Sequence, residues 1–365
     1  MHGTTEQWLL EWSKARWVPG TALPGGSRSV AAIQKADAVF EGGGVKGIAL
    51  VGALAVAEEQ GYRWVNVAGT SAGAIVAAGV AAGYRAVEIK AMMDALDFRA
   101  LPDPGLLDRI PVLGPLLSLG IEQGIYEGRY LEAFLAEQLA RRGVLTFAHL
   151  KDPDAQDERY RYRLQVIASD ISRGRMLVLP QDARKYGIHP DSLSVARAVR
   201  MSMSIPFLFE PVRLRDAVTG VESYIVDGGL LSNYPVWIFD ARGREPAWPT
   251  FGFRLVEGGA GPQAAPRRIS GPLSFLAALC ATAMEAHDAR FIEDQDWVRT
   301  IAIPTLGVRA TDFALSRADR EALYQAGRKA AQRFFHRWNF PRYVEEYRRE
   351  DVEHDRQRAQ RQPAE

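Results

Sequence analysis

A serine inside a glycine-flanked turn is the residue of this sequence best suited to nucleophilic chemistry. Residues 69–73 read Gly-Thr-Ser-Ala-Gly, between a segment that predicts a strand and one that predicts a helix. In that setting the turn is sharp, so Ser71 projects its hydroxyl from the end of the sheet. The following helix points its positive N-terminal end at the place where a developing anion would lie. The pattern favours a nucleophilic serine, with a plain Gly/Ser turn as the alternative.

A second glycine-rich turn precedes this serine. Residues 42–47 read Gly-Gly-Gly-Val-Lys-Gly and follow a predicted strand. Successive glycines allow backbone N–H groups to converge on one anion, because no Cβ blocks the approach. The spacing also fits a dinucleotide fingerprint, but the acidic residue required about 20 positions later is absent, as is a P-loop pattern. An oxyanion hole for Ser71 is therefore favoured, with a simple tight turn as the alternative.

An aspartate at the end of a later predicted strand is a candidate base. Asp227 is followed by two glycines, a combination that taken alone most often marks a turn. An aspartate at a strand end can face the same sheet edge as Ser71, so Asp227 gains importance in combination with the two glycine-rich turns.

Strands and helices that alternate along the chain must position these residues. The predicted strands are 38–40, 64–68, 164–169, 176–179, 224–226, 251–255 and 300–303, and the predicted helices are 48–60, 74–82, 126–141, 193–201, 272–291 and 316–337. This alternation predicts an α/β fold with a central, mostly parallel sheet flanked by helices on both faces. The expected organisation is an N-terminal appendage (1–30), a catalytic core (31–240), the C-terminal part of the same domain (241–340) and a charged, solvated tail (341–365).

The composition is that of an ordinary globular protein. Of 365 residues, 47% are hydrophobic and 24% are charged, which excludes a disordered chain, a collagen and a coiled coil. The single cysteine, Cys280, excludes an intramolecular disulfide and a cysteine metal cluster. The 45 Lys and Arg residues are balanced by 44 Asp and Glu residues, so the basic footprint of a nucleic-acid-binding protein is absent.

Nothing in the sequence predicts secretion or membrane insertion. The first residues mix charged side chains with Trp and Leu and lack the apolar region of a signal peptide. Residues 67–84 carry no charge over nearly the length of a spanning helix, but they are rich in Gly, Ala, Ser and Thr. We interpret them as a strand end, a turn and a buried helix. A cytoplasmic protein is expected, with peripheral membrane contact left open.

In combination, the three motifs resemble those of the patatin-like phospholipases. That family has an early Gly-Gly-Gly-x-Arg/Lys-Gly, then Gly-x-Ser-x-Gly, and a late Asp-Gly-Gly or Asp-Gly-Ala, and all three occur here in that order. The resemblance covers about residues 38–240. The stretch 196–212 before the aspartate also fits, as do Asn233 and Pro235 after it. Lys46 stands where many members carry Arg.

The resemblance implies a dyad of Ser71 and Asp227 that cleaves ester-linked acyl chains of phospholipids or other lipids, as a phospholipase A or lysophospholipase does. Asp227 would accept the proton of Ser71 and later activate the hydrolytic water. Backbone N–H groups of Gly43, Gly44 and Ala72 would bind the oxyanion. The residues that support the motifs are Gly42, Lys46, Gly47, Gly69, Gly73, Gly228 and Gly229. No metal is expected, because the sequence has no His-x-x-x-His set and no EF-hand loop, and no cofactor is expected.

Several alternatives remain open from the sequence. A histidine could complete a triad, for which His287 and His336 are candidates, each in the interior of a predicted helix. The same residues could serve an acyltransferase. A non-catalytic lipid-binding protein is a third class, against which the intact motif residues speak. Lys46 could hold the glycine loop or attract a phosphate headgroup, or it could simply form a salt bridge.

One segment differs from the regular elements around it. Residues 101–121 are strongly apolar but contain four prolines, so they cannot form one continuous helix. Such a segment either packs on the body of the protein or meets lipid. We expect a lid or lipid-contacting surface beside the acyl site, or else a buried covering segment.

Overall fold

The short apolar segments of the chain form strands of a central sheet in the computed structural model. It describes residues 34–96, 124–126, 128–155, 157–241, 244–257, 294–310 and 315–348, with the single positions 269, 275, 278, 279, 282 and 312. The strands are β1 (Gln34–Phe40), β2 (Tyr62–Thr70), β3 (Gly124–Tyr126), β4 (Leu164–Asp170), β5 (Arg175–Leu179), β6 (Phe207–Phe209), β7 (Val212–Arg215), β8 (Glu222–Asp227), β9 (Thr250–Val256) and β10 (Thr300–Pro304).

Helices connect and flank these strands. The α-helices among the described residues are α1 (Gly47–Glu59), α2 (Ala72–Ala81), α3 (Ala86–Ala95), α4 (Arg129–Ala140), α5 (Val195–Ser202), α6 (Asp294–Val298), α7 (Arg317–Phe335) and α8 (Phe340–Tyr343). The sheet order is β10-β9-β1-β2-β4-β8-β7, with β5 also paired to β4, while β3 and β6 form a separate pair. The neighbours from β10 to β4 are parallel and the remaining pairs of this sheet are antiparallel. The predicted α/β fold with a mostly parallel sheet flanked by helices is confirmed.

One edge of β4 accommodates two strands end to end. Thr70, the last residue of β2, pairs with Ile167, and Asp227, the last residue of β8, pairs with the next residue, Ala168. Since β5 occupies the opposite edge of this part of β4, β2 and β8 must lie along the same edge. They run in opposite directions and their carboxyl ends meet. The residues that follow these ends are therefore brought together.

The central strands are buried on both faces, which explains why their sequences are continuously apolar or small rather than alternating. All seven residues of β4 are buried, as are the last five of β1. Side chains that point to opposite faces of β1 belong to different apolar clusters: Phe40 packs in the larger one and Val39 in the smaller one. Phe40 also stacks on Phe253 of β9, with 4.6 Å between ring centroids.

Glycines allow α1 and α7 to approach closely. A Cβ added at Gly52 would lie 2.0 Å from the carbonyl oxygen of Tyr324, and one at Gly327 would lie 1.9 Å from that of Ala49. Neither helix could carry a side chain at these positions without moving away. The contact anchors α1, the helix that follows the glycine-rich loop, against the C-terminal part of the chain.

Some predicted features take a different form or lie outside the described residues. Residues 67–84 form the end of β2, a turn and the buried helix α2, as predicted, and no described helix is long and apolar enough to cross a membrane. The predicted charged tail begins with residues that pack on the body, because Tyr343 and Arg348 are buried. The appendage (1–30) and the proline-rich segment (101–121) lie outside the described residues, as does most of the predicted helix 272–291.

Candidate active site

Ser71 adopts a strained backbone conformation between β2 and α2. Its φ is 52° and its ψ is −127°, a combination that residues other than glycine rarely adopt. The flanking glycines make the turn possible. A Cβ at Gly69 would lie 2.3 Å from the carbonyl oxygen of Gly73, and a Cβ at Gly73 would lie 2.3 Å from that of Phe40. The glycines at these positions are therefore required by close backbone contacts.

The end of α5 and the residues after it contact Ser71. The backbone N–H of Ser71 donates to Oγ of Ser202 at 2.8 Å. Its hydroxyl donates to the thioether sulfur of Met203 at 3.5 Å. Ser71 is 3% exposed, so its hydroxyl is almost completely shielded from water. Shielding strengthens the electrostatic interactions that act on this group.

Asp227 is completely buried at the end of β8. Its Oδ1 accepts a hydrogen bond from the N–H of Gly229 at 2.8 Å, and its own N–H donates to the carbonyl oxygen of Ser204 at 2.9 Å. Its Oδ2 has no hydrogen-bond partner in the described part of the chain. Burial raises the pKa of Asp227 to about 7, although the hydroxyl of Ser71 and the N–H of Gly229 act to lower it. The carboxylate and the serine hydroxyl are thus close enough to interact.

The glycine-rich loop lies beside the serine. A Cβ at Gly42 would lie 3.1 Å from Cβ of Ser71 and 2.1 Å from Oδ1 of Asn233. Asn233 forms two hydrogen bonds with this glycine, both at 3.2 Å. The backbone carbonyl oxygen of Asn233 accepts the N–H of Gly42, and its Nδ2 donates to the carbonyl oxygen of Gly42. Gly44 has a φ of +54°, and a Cβ there would lie 2.0 Å from the carbonyl oxygen of Ala310.

Backbone donors in this region are available to an anion. Within the residues that the structure describes, the N–H groups of Gly43, Gly44 and Ala72 donate to no acceptor. Ala72 is the first residue of α2, and the first N–H groups of a helix have no partner inside it. Two further support glycines, Gly228 and Gly47, fit their places tightly. A Cβ at Gly228 would lie 2.4 Å from the carbonyl oxygen of Ile167, and one at Gly47 would lie 3.1 Å from Cβ of Ala72.

The other candidate side chains differ in their placement. Lys46 is half-buried in the loop, and none of the described acidic side chains forms an ion pair with it. His336 is not in a helix interior as predicted: it is exposed and directly follows the last residue of α7. The preceding Phe335 stacks on Tyr62, at the start of β2 and thus at the end remote from Ser71. His287 lies outside the described residues. Among the described side chains, no group of three His, Cys, Asp or Glu comes together as metal ligands.

Several residues at the site had no assigned role from the sequence. Ser202, Met203 and Ser204 belong to the stretch that fits the family pattern, but nothing local indicates that they contact the serine and the aspartate. Ala310, against Gly44, carries no sequence signal at all. The contact of Ser202 with Ser71 joins residues 131 positions apart.

Comparisons with known proteins agree with the motifs. The family described as "Patatin-like phospholipase" matches residues 38–240. The uncharacterized protein YqhO of Bacillus subtilis (strain 168) is 39% identical over 304 residues, which are 83% of this chain and 99% of that protein. The uncharacterized protein R571 of Acanthamoeba polyphaga mimivirus is 26% identical over 217 residues, 58% of this chain and 64% of the relative.

Two solved structures show more distant similarity. VipD from Legionella pneumophila aligns with a TM-score of 0.48 and 19% identity, over 84% of this chain and 67% of that chain. ExoU in its heterodimeric complex with SpcU, from the type III secretion system of Pseudomonas aeruginosa, aligns with a TM-score of 0.46 and 17% identity. That alignment covers 83% of this chain and 51% of the other.

Proposed function

The chain belongs to the patatin-like phospholipase family, and from that membership we propose that it hydrolyses ester-linked acyl chains of lipids with Ser71 as nucleophile and Asp227 as general base. Membership supports lipid acyl hydrolysis in general. The assignment of the two residues is our inference from their surroundings.

The observation that carries the proposal is the state of the Asp227 carboxylate. It is fully buried at the strand end that meets the end of β2, and Oδ2 has no hydrogen-bond partner among the described residues. A buried carboxylate oxygen without a donor is costly to maintain. A short rotation of the Ser71 hydroxyl away from the sulfur of Met203 would supply the missing donor. Oδ2 is therefore a suitable acceptor for the serine proton.

The proposed reaction has two halves. As Oγ of Ser71 attacks the ester carbonyl carbon, its proton passes to Oδ2 of Asp227, and the carbonyl oxygen becomes an oxyanion. The N–H groups of Gly43, Gly44 and Ala72, which donate to no acceptor among the described residues, would bind that oxyanion. The protonated Asp227 then returns the proton to the departing alkoxide, which leaves an acyl-serine. Water attacks the acyl-serine in the second half, Asp227 accepts a proton of that water, and the fatty acid leaves as Ser71 recovers its proton.

The raised pKa of Asp227 suits this exchange. A carboxylate with an ordinary pKa near 4 is a weak base toward a serine hydroxyl, whereas one with a pKa of about 7 binds the proton more strongly and is still largely ionised above neutral pH. Burial causes this rise in the pKa of Asp227. The packing that shields Ser71 from water therefore also makes Asp227 a stronger base.

The surroundings of Lys46 favour a phospholipid as the substrate. Lys46 is a half-buried residue of the glycine loop, and no described carboxylate forms an ion pair with it. A phosphate headgroup bound beside the loop would provide a counter-charge. We propose phospholipids, rather than neutral acyl esters, as the preferred class, with Lys46 as a headgroup contact.

The proposal is tested by a panel of phospholipids, lysophospholipids and neutral lipid esters, with wild-type protein and Ser71→Ala compared on each. Wild-type protein should release fatty acid and react with a fluorophosphonate at Ser71, and Ser71→Ala should do neither. Added lysolipid separates transfer from hydrolysis, because an acyltransferase would form diacyl lipid in place of free fatty acid. Fatty-acid release that is equal in both proteins would refute the assignment of Ser71.

A further inference from the structure

The hydroxyl of Ser202 joins two backbone groups at the strand ends that form the site. It accepts the N–H of Ser71 at 2.8 Å and donates to the carbonyl oxygen of Ile167 at 2.5 Å. Ser202 is completely buried, so water cannot replace either bond. One side chain thus satisfies a donor on the turn after β2 and an acceptor on β4.

The position of Ile167 gives this bridge its importance. Ile167 pairs with Thr70, and the next residue of β4, Ala168, pairs with Asp227. A group fixed to the carbonyl oxygen of Ile167 is therefore fixed to the point where the two strand ends meet. Ser202 therefore links the backbone of Ser71 to β4, the strand with which Asp227 also pairs.

The strained backbone of Ser71 requires such support. A non-glycine residue with a φ of 52° and a ψ of −127° persists only where its surroundings hold it in place. If the hydroxyl of Ser202 were absent, the N–H of Ser71 would lose its only hydrogen bond among the described residues. The turn would then be free to relax toward an ordinary conformation and carry Oγ away from Asp227.

We propose that Ser202 is a positioning residue that holds the nucleophile in its strained conformation, an inference that rests on the proposed role of Ser71. The two residues after it reinforce this arrangement. The sulfur of Met203 contacts the hydroxyl of Ser71, and the carbonyl oxygen of Ser204 accepts the N–H of Asp227. Arg200 fixes this segment through a hydrogen bond to Oγ of Ser204 at 2.5 Å.

The test compares Ser202→Ala with Ser223→Ala, a matched control that removes an equally buried serine hydroxyl. Ser223 lies near the start of β8, where its hydroxyl accepts a hydrogen bond from Arg173 rather than from the active-site turn. Activity is measured well below the melting temperature of each variant. Ser202→Ala should lower kcat by about 10²-fold with KM changed less than about threefold, because a displacement of about 1 Å costs this much in rate. Ser223→Ala should retain the wild-type kcat.

A conservative variant separates positioning from simple loss of stability. Ser202→Cys keeps a weak donor and a weak acceptor in nearly the same volume, so its kcat should lie between those of wild-type protein and Ser202→Ala. The rate of labelling of Ser71 by a fluorophosphonate should follow the same order. A folded Ser202→Ala protein with the kcat and labelling rate of Ser223→Ala would overturn the proposal.

Hydrogen exchange provides a measurement that does not depend on activity. The amide of Ser71 should exchange at least about 10-fold faster in Ser202→Ala than in wild-type protein, because its acceptor is gone. Unchanged exchange would overturn the role of Ser202 even if the enzyme proved inactive on every ester. Ester hydrolysis that survives in Ser71→Ala would instead refute the proposed function, and the exchange result would still decide whether Ser202 holds the turn.

Discussion

At the scale of single residues, Asp227 combines two properties that oppose each other. Burial raises its pKa to about 7, which makes it a stronger base but leaves less of it ionised at neutral pH. Neither the strand nor the turn requires a carboxylate in this place, since an amide could also accept the N–H of Gly229. The carboxylate is thus better explained by proton transfer than by folding.

The pH dependence of hydrolysis should report this group. Under the proposed mechanism activity requires ionised Asp227, so kcat/KM on a soluble ester should rise with pH and level off above an apparent pKa of about 7. The measurement is a rate profile from pH 5 to 9 on a substrate that does not itself ionise in this range. A profile that is flat down to pH 5 would show that the base has an ordinary carboxylate pKa.

Replacement of Asp227 by Asn should abolish hydrolysis and stabilise the fold at alkaline pH. Because the folded pKa lies above the unfolded value of 3.8, the folded state binds the proton more tightly, and the free energy of unfolding falls as pH rises from about 4 to about 7. Asn cannot ionise, so Asp227→Asn escapes this loss, which amounts to a few kcal/mol at about 1.4 kcal/mol per pKa unit.

Urea unfolding at several pH values checks this expectation. The variant should be more stable than wild-type protein at pH 8, and the difference should disappear below about pH 4, where both residues are neutral. Equal stabilities at both pH values would mean that Asp227 is not buried as a charged group.

At the scale of elements, the glycine loop is held in place by segments far from it in the chain. Asn233, in the segment after β8, forms a hydrogen bond with Gly42. Leu255 of β9 lies against Gly43, and the backbone of Ala310 after β10 lies against Gly44. The N–H of Val45 donates to the same carbonyl oxygen of Ala310 at 3.0 Å. The loop therefore presents its N–H groups from a fixed frame, as an oxyanion hole requires.

Gly44→Ala should inactivate the protein because it would displace the glycine loop. The added methyl group would strain a backbone with a φ of +54° and collide with the carbonyl oxygen of Ala310, so at least one N–H donor would move. Loss of one donor typically lowers kcat by about 10² to 10³-fold. Gly174→Ala is the control, since Gly174 has a similar φ of +61° but nothing within 4 Å of the added Cβ. Near-normal turnover by folded Gly44→Ala would assign the loop a structural role only.

The difference between local and distant contacts explains how much the sequence could predict. The turn around Ser71 was predictable because its glycines, its serine and the flanking periodicities lie within a few residues. The order of motifs was enough to indicate the family. The bridge through Ser202 and the packing of Ala310 on the glycine loop were not predictable from the sequence. Both contacts depend on which strands pair, and no local pattern encodes strand pairing. Likewise, β2, β4 and β8 were expected as strands, but not the shared edge of β4.

At the scale of the whole molecule, the contact between α1 and α7 connects the elements of the candidate site to the C-terminal part of the chain. Gly52 and Gly327 face the backbone of the opposite helix, so the two helices are as close as their backbones permit. The aromatic residues at the end of α7 continue this packing, with Phe335 against Tyr62 and Phe251.

Gly327→Ala should destabilise the protein although alanine favours helices. The methyl group would lie 1.9 Å from the carbonyl oxygen of Ala49, and a backbone group cannot move aside cheaply. Overpacking of this kind typically costs about 1–3 kcal/mol, which exceeds the gain of about 1 kcal/mol in helix propensity. Thermal unfolding should show a lower melting temperature than for Lys329→Ala, on the exposed side of α7. Equal melting temperatures would contradict the close helix contact.

The meeting of β2 and β8 on one edge of β4 has a consequence for synthesis of the protein on the ribosome. Ser71 is translated early, Ser202 follows 131 residues later, and Asp227 later still. Domains generally fold as units during synthesis, and β8 cannot pair with β4 before it has been made. Under the proposed mechanism, a growing chain or a product truncated before β8 carries the serine without its base. Such a chain could not hydrolyse lipids by this mechanism until the end of β8 has been made and paired with β4.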